Sequence, residues 1–473
     1  MSEELAKTFT IDTEVAPADL NDIVKFIYHY YLLPRFDRFT NVKKTKIDHA
    51  DVLSFTTLAP DKKWYVDVEI RARKPLGVRM VPGGTVPQSV LDGLKEDLIL
   101  GVQLFEEKVR KTTLYFAWIK GEKLIPETMP SARKRAVDRL FTANMLIFYA
   151  VLIGASILLF SIIGFYAPII IIAFQFLIVL FSDKIITKFG RWKVDAKNPD
   201  VYLLQYHLPI QEYKEIQRKY GEDLILKMKR EIYDKTFAIG KEPSCALGGE
   251  IFSKYGIKCM PDRMSTKKVN VYALVKKAAD KFNLPIPKIV VSNSMLPNAA
   301  ATGPSPSHGA LLITTGLLVQ LNDDEIFSII GHEFGHLKGR DPLILFGLTT
   351  SEYLLRLYVF LPYFLFSPLL YLMVAMGMVF FIAKFFEARA DLQSAITIGQ
   401  PQVLAEALRK IGFRSLQFER APTYKVQAWL NWDPHPPIYF RINRLEKLKA
   451  PGEVKHPLIQ SAKDVINGFR AVF

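Results

Sequence analysis

The sequence predicts an integral membrane protein that is mostly α-helical, with four transmembrane helices, a cytoplasmic helical domain and an N-terminal α+β domain. Two long apolar regions, residues 140–182 and 342–383, and the basic residues at their ends favour this fold class. A third observation is the mixed periodicity of residues 1–130, where strand-like alternation and helical spacing follow each other. The overall composition of 50% hydrophobic and 23% charged residues hides this division, because it also suits a globular protein.

The balance of charged residues indicates which kinds of binding partner suit the protein. Lysine and arginine number 62 against 47 acidic residues, which gives a formal net charge of +15. Such an excess suits nucleic acid or an anionic membrane surface. No base-reading motif is present, so we expect a lipid bilayer as partner and no nucleic acid. The 2 cysteines exclude a disulfide framework and a four-sulfur zinc site.

The first apolar region predicts a transmembrane hairpin. Leu140 to Ser182 carries no charged residue, and one crossing needs about 20 apolar residues, so the region fits two helices. Gly164 and Pro168 predict the turn between them. Basic residues flank both ends, which places both ends in the cytoplasm. These residues are Arg133, Lys134, Arg135 and Arg139 before the hairpin, and Lys184, Lys188, Arg191 and Lys193 after it.

The second apolar region is less decisive. Between Pro342 and Ala383 only Glu352 and Arg356 are charged. The length allows one tilted crossing, or two crossings with a bend near Pro362 and Pro368. Length alone does not choose between these alternatives.

The N-terminal residues 1–130 predict a cytoplasmic α+β domain of unknown role. Strand-like alternation covers Asp51–Thr57 and Lys63–Arg73, and helical spacing covers Pro87–Val109. Pro82-Gly83-Gly84 is predicted to be a turn.

The strongest motif is Gly331-His332-Glu333-Phe334-Gly335-His336. On a helix, two histidines four residues apart project from one face and can bind one zinc ion. Glu333 lies beside the open position, where it can take a proton from the attacking water and pass it to the leaving amine. Asn322 and Glu325 predict the capped start of this helix, which we call the zinc helix, over residues 323–338.

A hydrolytic zinc site needs a third protein ligand, and Glu387 is the candidate. Asp391, one turn further, and Asp341 can each hold a ligand imidazole through its second nitrogen. If Glu387 and the histidines bind one ion, the chain between them crosses the membrane an even number of times. Two crossings are favoured over none, because none would leave a long uncharged stretch in water or require a large re-entrant loop. This gives four transmembrane helices and a cytoplasmic active site.

The order of these motifs resembles the membrane-embedded zinc endopeptidases that include HtpX and the CAAX prenyl endopeptidases. The resemblance covers residues from about 140 to 448, and it rests on Asn298–Gly303, the zinc-helix motif, Glu387 with Asp391, and His435-Pro436 with Arg441-Ile442. It implies a gluzincin-like protease domain with one zinc ion per subunit. His332, His336 and Glu387 would be its ligands, and Glu333 its general base.

The same resemblance implies roles for further residues. His435 and Arg441 would approach the oxyanion or the substrate backbone, although a turn histidine and a solvated helix end stay open as alternatives. Asn298, Ala299 and Ala300 would belong to an edge strand that binds extended substrate, with an ordinary core strand as the alternative. The N-terminal domain is not required by the HtpX pattern.

We therefore predict a membrane zinc metalloendopeptidase that hydrolyses peptide bonds in membrane or misfolded proteins. The alternatives are a CAAX-type prenyl-protein processing protease and a catalytically inactive zinc-binding membrane scaffold. We expect a multi-pass protein of the plasma or inner membrane with its active site facing the cytoplasm and with protein or peptide substrates. Oligomeric state is left open. The predicted domains are residues 1–130, 140–182, 194–341, 342–383 and 384–473.

Overall fold

The computed structural model describes residues 6–48, 50–61, 63–122, 145–221, 223–241, 245–258 and 260–472. The chain divides into two compact units, Met1–Ala117 with Tyr202–Lys268, and Trp118–Val201 with Val269–Phe473. Residues 202–268 are thus grouped with the N-terminal unit, whereas the sequence predicts them in the first part of the protease domain. The predicted domain division stays a prediction.

The strands are β1 Lys7–Ile11, β2 Phe39–Ile47, β3 Ala50–Leu58, β4 Trp64–Arg71, β5 Leu76–Gly84, β6 Thr113–Ile119, β7 Trp192–Val194, β8 Asp200–His207, β9 Met264–Asn270, β10 Lys288–Ser292, β11 Ala299–Thr302 and β12 Ala310–Thr314.

The first eight α-helices are α1 Leu20–Ile27, α2 Gln88–Arg110, α3 Met145–Ile163, α4 Ala167–Leu180, α5 Ser182–Phe189, α6 Ile210–Tyr220, α7 Asp223–Lys235 and α8 Cys245–Lys254. The later helices are α9 Val271–Phe282, α10 Thr315–Gln320, α11 Asp323–Gly339, α12 Asp341–Tyr358, α13 Leu361–Phe366, α14 Pro368–Ile398, α15 Pro401–Ile411, α16 Phe413–Glu419, α17 Pro422–Leu430, α18 Ile438–Lys447 and α19 Pro457–Arg470.

The first unit contains a five-stranded antiparallel sheet in the order β1-β5-β4-β3-β2. Alternate residues of β4, such as Val66, Val68 and Ile70, are buried in its core, which α1 and α2 share. The turn predicted at Pro82-Gly83-Gly84 is wrong: these residues continue β5 and pair with β4. A three-stranded sheet has the order β6-β8-β9.

The second unit contains a four-stranded sheet in the order β11-β12-β10-β7. β10 and β12 run parallel, whereas β11 pairs antiparallel with β12 and forms an edge of the sheet. The zinc helix is α11, and it packs against β11 and against α14, which we call the ligand helix. This packing determines the position of the candidate site.

The apolar regions form helices as the sequence predicts. A short turn at Gly164–Tyr166 separates α3 from α4, and α13 occupies the bend between α12 and the ligand helix. The two regions are in contact, because the rings of Phe176 and Phe346 lie 5.6 Å apart. The basic residues predicted before α3, Arg133, Lys134, Arg135 and Arg139, lie outside the described residues.

Within the described residues, one helix is long and apolar enough to cross a membrane, the ligand helix Pro368–Ile398. The pair Ala167–Leu180 and Ser182–Lys188, bent by 61°, counts as a second span if the two pieces are taken together. Large apolar side chains on these helices are exposed, for example Ile169 at 65% and Leu369 at 75%. The prediction of four crossings is therefore supported only in part.

Candidate metal centre

The zinc helix begins where the sequence predicts. Asn322 accepts a hydrogen bond from the Glu325 backbone N–H, and the Glu325 side chain accepts one from the Asn322 N–H, which together form a capping box. His332 and His336 lie one turn apart on this helix, and their Nε2 atoms are 3.1 Å apart. Both imidazoles thus direct the same nitrogen to one point.

The ligand helix brings Glu387 to that point. Its Oε1 lies 3.4 Å from His336 Nε2, and its Oε2 lies 3.5 Å from His332 Nε2. Donors arranged tetrahedrally about 2.0–2.1 Å from a zinc ion are separated by roughly 3.3 Å, so the three spacings fit one ion. The buried Oε2 has no hydrogen-bond partner among the described residues. Two histidines and one glutamate are also a donor set typical of hydrolytic zinc enzymes.

Two glycines allow the zinc helix and the ligand helix to approach this closely. A Cβ at Gly335 would lie 2.9 Å from the Cα of Ala390, and one at Gly331 would lie 2.7 Å from Ser394 Oγ. Ser394 Oγ also donates to the backbone oxygen of Ser328 at 2.9 Å. Each glycine directly precedes one of the two histidines, so the helices cross closely where Glu387 lies beside the imidazoles.

Carboxylates hold the second nitrogen of each imidazole. His332 Nδ1 lies 2.8 Å from Asp391 Oδ1, and His336 Nδ1 lies 2.6 Å from Asp341 Oδ2. Burial alone would lower the pKa of His332, but Asp391 and Glu387 raise it to about 10. This arrangement directs Nε2 at the metal point, as in carboxylate–histidine–zinc sites.

Arginines pair with both of these aspartates. Arg441 donates to Asp391 through Nε at 2.8 Å and through a terminal nitrogen at 2.7 Å. Arg389 pairs with Asp341 through one terminal nitrogen only. The family resemblance predicts Arg441 at the oxyanion or the substrate backbone. The structure places it, 5% exposed, on the carboxylate that holds His332.

Glu333 follows His332 directly on the zinc helix and contacts the sheet edge. Its Oε2 accepts a hydrogen bond of 2.7 Å from the backbone N–H of Ala301 in β11. The Asn298 carbonyl accepts from the Thr314 N–H on the opposite side of the strand. Backbone groups alternate in direction along an antiparallel strand. The N–H and C=O groups of Ala299 and Ala301 therefore point away from the sheet, and those of Asn298 and Ala300 point toward β12.

His435 reaches the same centre from a separate loop. Its Nε2 lies 3.6 Å from Glu387 Oε2, and its side chain is 51% exposed. Asp433 Oδ1 accepts from the backbone N–H of His435 at 2.9 Å and lies 2.8 Å from Nδ1. The negative charge of Glu387 raises the pKa of His435. A protonated imidazole facing the site can stabilise negative charge that develops there.

The three predicted ligands, and the two aspartates predicted to hold the imidazoles, thus lie around the point where the two Nε2 atoms meet Glu387. The sequence predicts no part in the metal centre for Gly331, Gly335, Arg389 or Asp433. The glycine pair was visible as a four-residue repeat in the motif, but its packing partner lies on a helix more than fifty residues away. Asp433 sits two residues before His435, a spacing that a side chain to backbone turn allows.

The model of "Peptidase family M48" matches residues 265–449. A "Protease HtpX homolog" of Thermodesulfovibrio yellowstonii is 30% identical over 234 residues, which cover 42% of this chain and 80% of that protein. The chain belongs to peptidase family M48. A second HtpX homologue, from Desulforapulum autotrophicum, is 30% identical over 218 residues, or 37% of this chain and 67% of the relative.

The M48 match includes the zinc helix, Glu387 and His435, and it begins after residue 264. The protein is accordingly a protease, and the family is one of metalloproteases. The crystal structure of Ste24p from S. mikatae is similar over 76% of each chain, with 14% identity and a TM-score of 0.34.

Proposed function

We propose that this M48 protein is a membrane zinc endopeptidase that cleaves membrane or misfolded proteins at the cytoplasmic face. The observation that supports it most is the spacing of three donor groups at 3.1, 3.4 and 3.5 Å, with Glu333 beside them. His332, His336 and Glu387 would hold one zinc ion. Zinc at this point supplies polarisation of the scissile carbonyl and a lowered pKa of the attacking water.

Glu333 is proposed as the general base and acid. It accepts the proton that water loses as its oxygen attacks the carbonyl carbon, and it donates that proton to the nitrogen of the leaving amine as the C–N bond breaks. The hydrogen bond from Ala301 keeps its carboxylate at the sheet edge. Since both steps occur beside β11, the scissile bond should lie along this strand.

We infer that β11 binds substrate by adding an extended strand to the sheet. Ala299 and the carbonyl of Ala301 face outward, and a peptide paired with them would place its scissile carbonyl close to Glu333. His435 faces the same space and would stabilise the developing oxyanion. Arg441, which contacts Asp391 in the structure, is proposed to position His332 through that carboxylate.

The four-helix topology is part of the proposal. α3 and α4 would form one hairpin, and α12 with the first part of the ligand helix would form the other. An even number of crossings between Asp341 and Glu387 is required if both ends share one site. The ion pair of Glu352 and Arg356, 3.5 Å apart on α12, would then lie within the membrane.

The test compares Glu333→Gln with Asp324→Asn in the detergent-solubilised full chain. Asp324 is an exposed carboxylate on the same helix, so its change controls for the loss of a charge. We expect Glu333→Gln to keep one zinc per chain while kcat for an unfolded protein substrate falls about 10²–10⁴-fold. Asp324→Asn should match the unchanged protein.

Two results would contradict the proposal. One is full activity of Glu333→Gln, and the other is cleavage by the unchanged protein that a zinc chelator does not reduce. A prenylated peptide and an unfolded membrane protein, assayed side by side, decide the substrate class. Cleavage of the prenylated peptide alone would replace the proposed quality-control role by that of a processing protease.

A further inference from the structure

Lys384 is a buried cation that the proposed reaction does not use. Its residue is 1% exposed, and among the described lysines only Lys229 is also buried. A buried ammonium group is costly unless it is paired or hydrogen-bonded. Lys384 lies on the ligand helix three residues before Glu387, so its partners are fixed relative to the proposed zinc ligand.

The partners of Lys384 are in the loop that carries His435. Its Nζ donates to the carbonyl of Asn431 at 3.3 Å and to the carbonyl of Asp433. The loop therefore receives two charge-assisted hydrogen bonds, which are stronger than those between neutral groups. Asp433 in turn holds both the backbone N–H and the Nδ1 of His435.

The same arrangement occurs at each of the three imidazoles of the centre. An aspartate lies on Nδ1, and a cation holds that aspartate. Arg441 and Arg389 do this for the two zinc-helix histidines through the carboxylates of Asp391 and Asp341. Lys384 does it for His435, with the backbone carbonyl of Asp433 in place of the carboxylate.

We propose that Lys384 is a positioning residue that holds the Asp433–His435 loop against the ligand helix, so that His435 Nε2 stays within reach of the reacting carbonyl. The inference rests on the proposed function, because it needs His435 to act in hydrolysis. Lys384 contacts none of the three proposed zinc ligands in the hydrogen bonds described above. Its loss should therefore lower kcat and leave zinc content unchanged.

The experiment is a double-mutant cycle of Lys384→Met and His435→Ala in the full chain. Methionine keeps the length of the side chain and removes its charge. Lys229→Met is the matched control for the replacement of a buried lysine. For each protein we measure zinc per chain, the thermal midpoint, and kcat and KM for an unfolded protein substrate.

We expect Lys384→Met to lower kcat about 10- to 100-fold, as loss of an outer partner does in metal sites, with little change in KM and one zinc retained. In the His435→Ala background the same change should have no further effect on kcat. Lys384→Arg, which retains charge and donors, should restore part of the lost activity. Lys229→Met should leave kcat unchanged.

Three results would overturn the inference. These are loss of zinc in Lys384→Met, an equal fall of kcat in both backgrounds, and an unchanged kcat. If Lys384→Met does not fold, Lys384→Gln, which also removes the positive charge, replaces it in the cycle with the same expectations. Failure of the proposed function looks different, because the unchanged protein would then show no zinc-dependent cleavage at all.

Discussion

Two histidines, one in each unit, differ in the direction of their pKa shifts. Burial lowers the pKa of His207 in the first unit to about 4, and the charge of Arg263 adds to that effect. Asp19 Oδ1 lies 3.7 Å from His207 Nε2. Burial raises the pKa of this carboxyl group to about 6. His332 in the second unit is more deeply buried, yet its carboxylate partners raise its pKa to about 10.

The opposite pKa shifts of His207 and His332 show which feature distinguishes the candidate metal centre. Burial by itself favours the neutral imidazole, and His207 is an example of that effect. At the candidate centre, several carboxylates held by cations create a place for positive charge, and a metal ion can supply that charge in place of protons. Zinc binding should therefore release protons, and zinc affinity should fall as the pH is lowered.

The largest effect is expected from Glu387→Ala, which removes a proposed ligand and one of the carboxylates that raise the pKa of His332. We expect zinc to be lost and cleavage to disappear, a larger loss than the about 10- to 100-fold that follows removal of an outer partner. Metal analysis and the cleavage assay measure both, with the exposed Glu453→Ala as control. Full zinc content in Glu387→Ala would refute the ligand assignment.

Asp391→Asn should make His332 more like His207. The amide keeps the shape but removes the negative charge beside Nδ1, so the pKa of His332 in the metal-free protein should fall below about 10. Zinc affinity should fall about 10- to 100-fold. NMR titration of the imidazole and competition with a zinc chelator measure the two quantities. An unchanged affinity would mean that Asp391 has no part in orienting the ligand.

Gly335→Ala tests the close crossing of the zinc helix and the ligand helix, a feature of the metal centre and not of the surroundings of His207. The new methyl group would meet the Ala390 backbone, so either the ligand helix shifts or the core is strained by about 1–3 kcal/mol. We expect weaker zinc binding and a lower thermal midpoint. Gly377→Ala, on the ligand helix with nothing within 4 Å of the added Cβ, is the control. Equal effects of the two changes would contradict the close crossing.

The smallest effect on the site is expected from His207→Gln. The folded pKa of His207 lies below its ordinary value of 6.5, so its stabilising contribution is present above pH 6.5 and is lost as the pH falls toward 4. Asp19 has a raised pKa and contributes in the opposite sense, with its part lost as the pH rises from 3.8 through 6.

With His207 removed, its loss of stabilisation at acid pH disappears, whereas the Asp19 contribution remains. Unfolding of the first unit, followed by circular dichroism at pH 4 to 7, should then show greater stability at the acid end than the unchanged protein. Zinc content and cleavage at neutral pH should stay the same. A loss of zinc in His207→Gln would contradict the view that only His332, and not His207, belongs to the metal centre.

The sequence predicted the zinc helix closely, because its capping box and histidine spacing are local features. The start at Asn322 and the direction of both imidazoles follow from a few neighbouring residues. The prediction at Pro82-Gly83-Gly84 failed, since pairing with β4 outweighed the turn preference of these residues. The contact between Arg441 and Asp391 was not visible in the sequence, because Asp391 lies fifty residues earlier and only the fold joins the two residues.

If the edge strand β11 binds substrate as proposed, it limits which proteins can be cut. Its outward backbone groups can pair only with a chain whose own backbone groups are free. A substrate in a stable helix or sheet has already used them. The free energy of unfolding the segment around the scissile bond would therefore be added to the barrier for cleavage, and a well-folded protein would be protected whatever its sequence. Selection would act on local stability, and a four-residue strand with alanine side chains at Ala299, Ala300 and Ala301 would add little preference for particular residues.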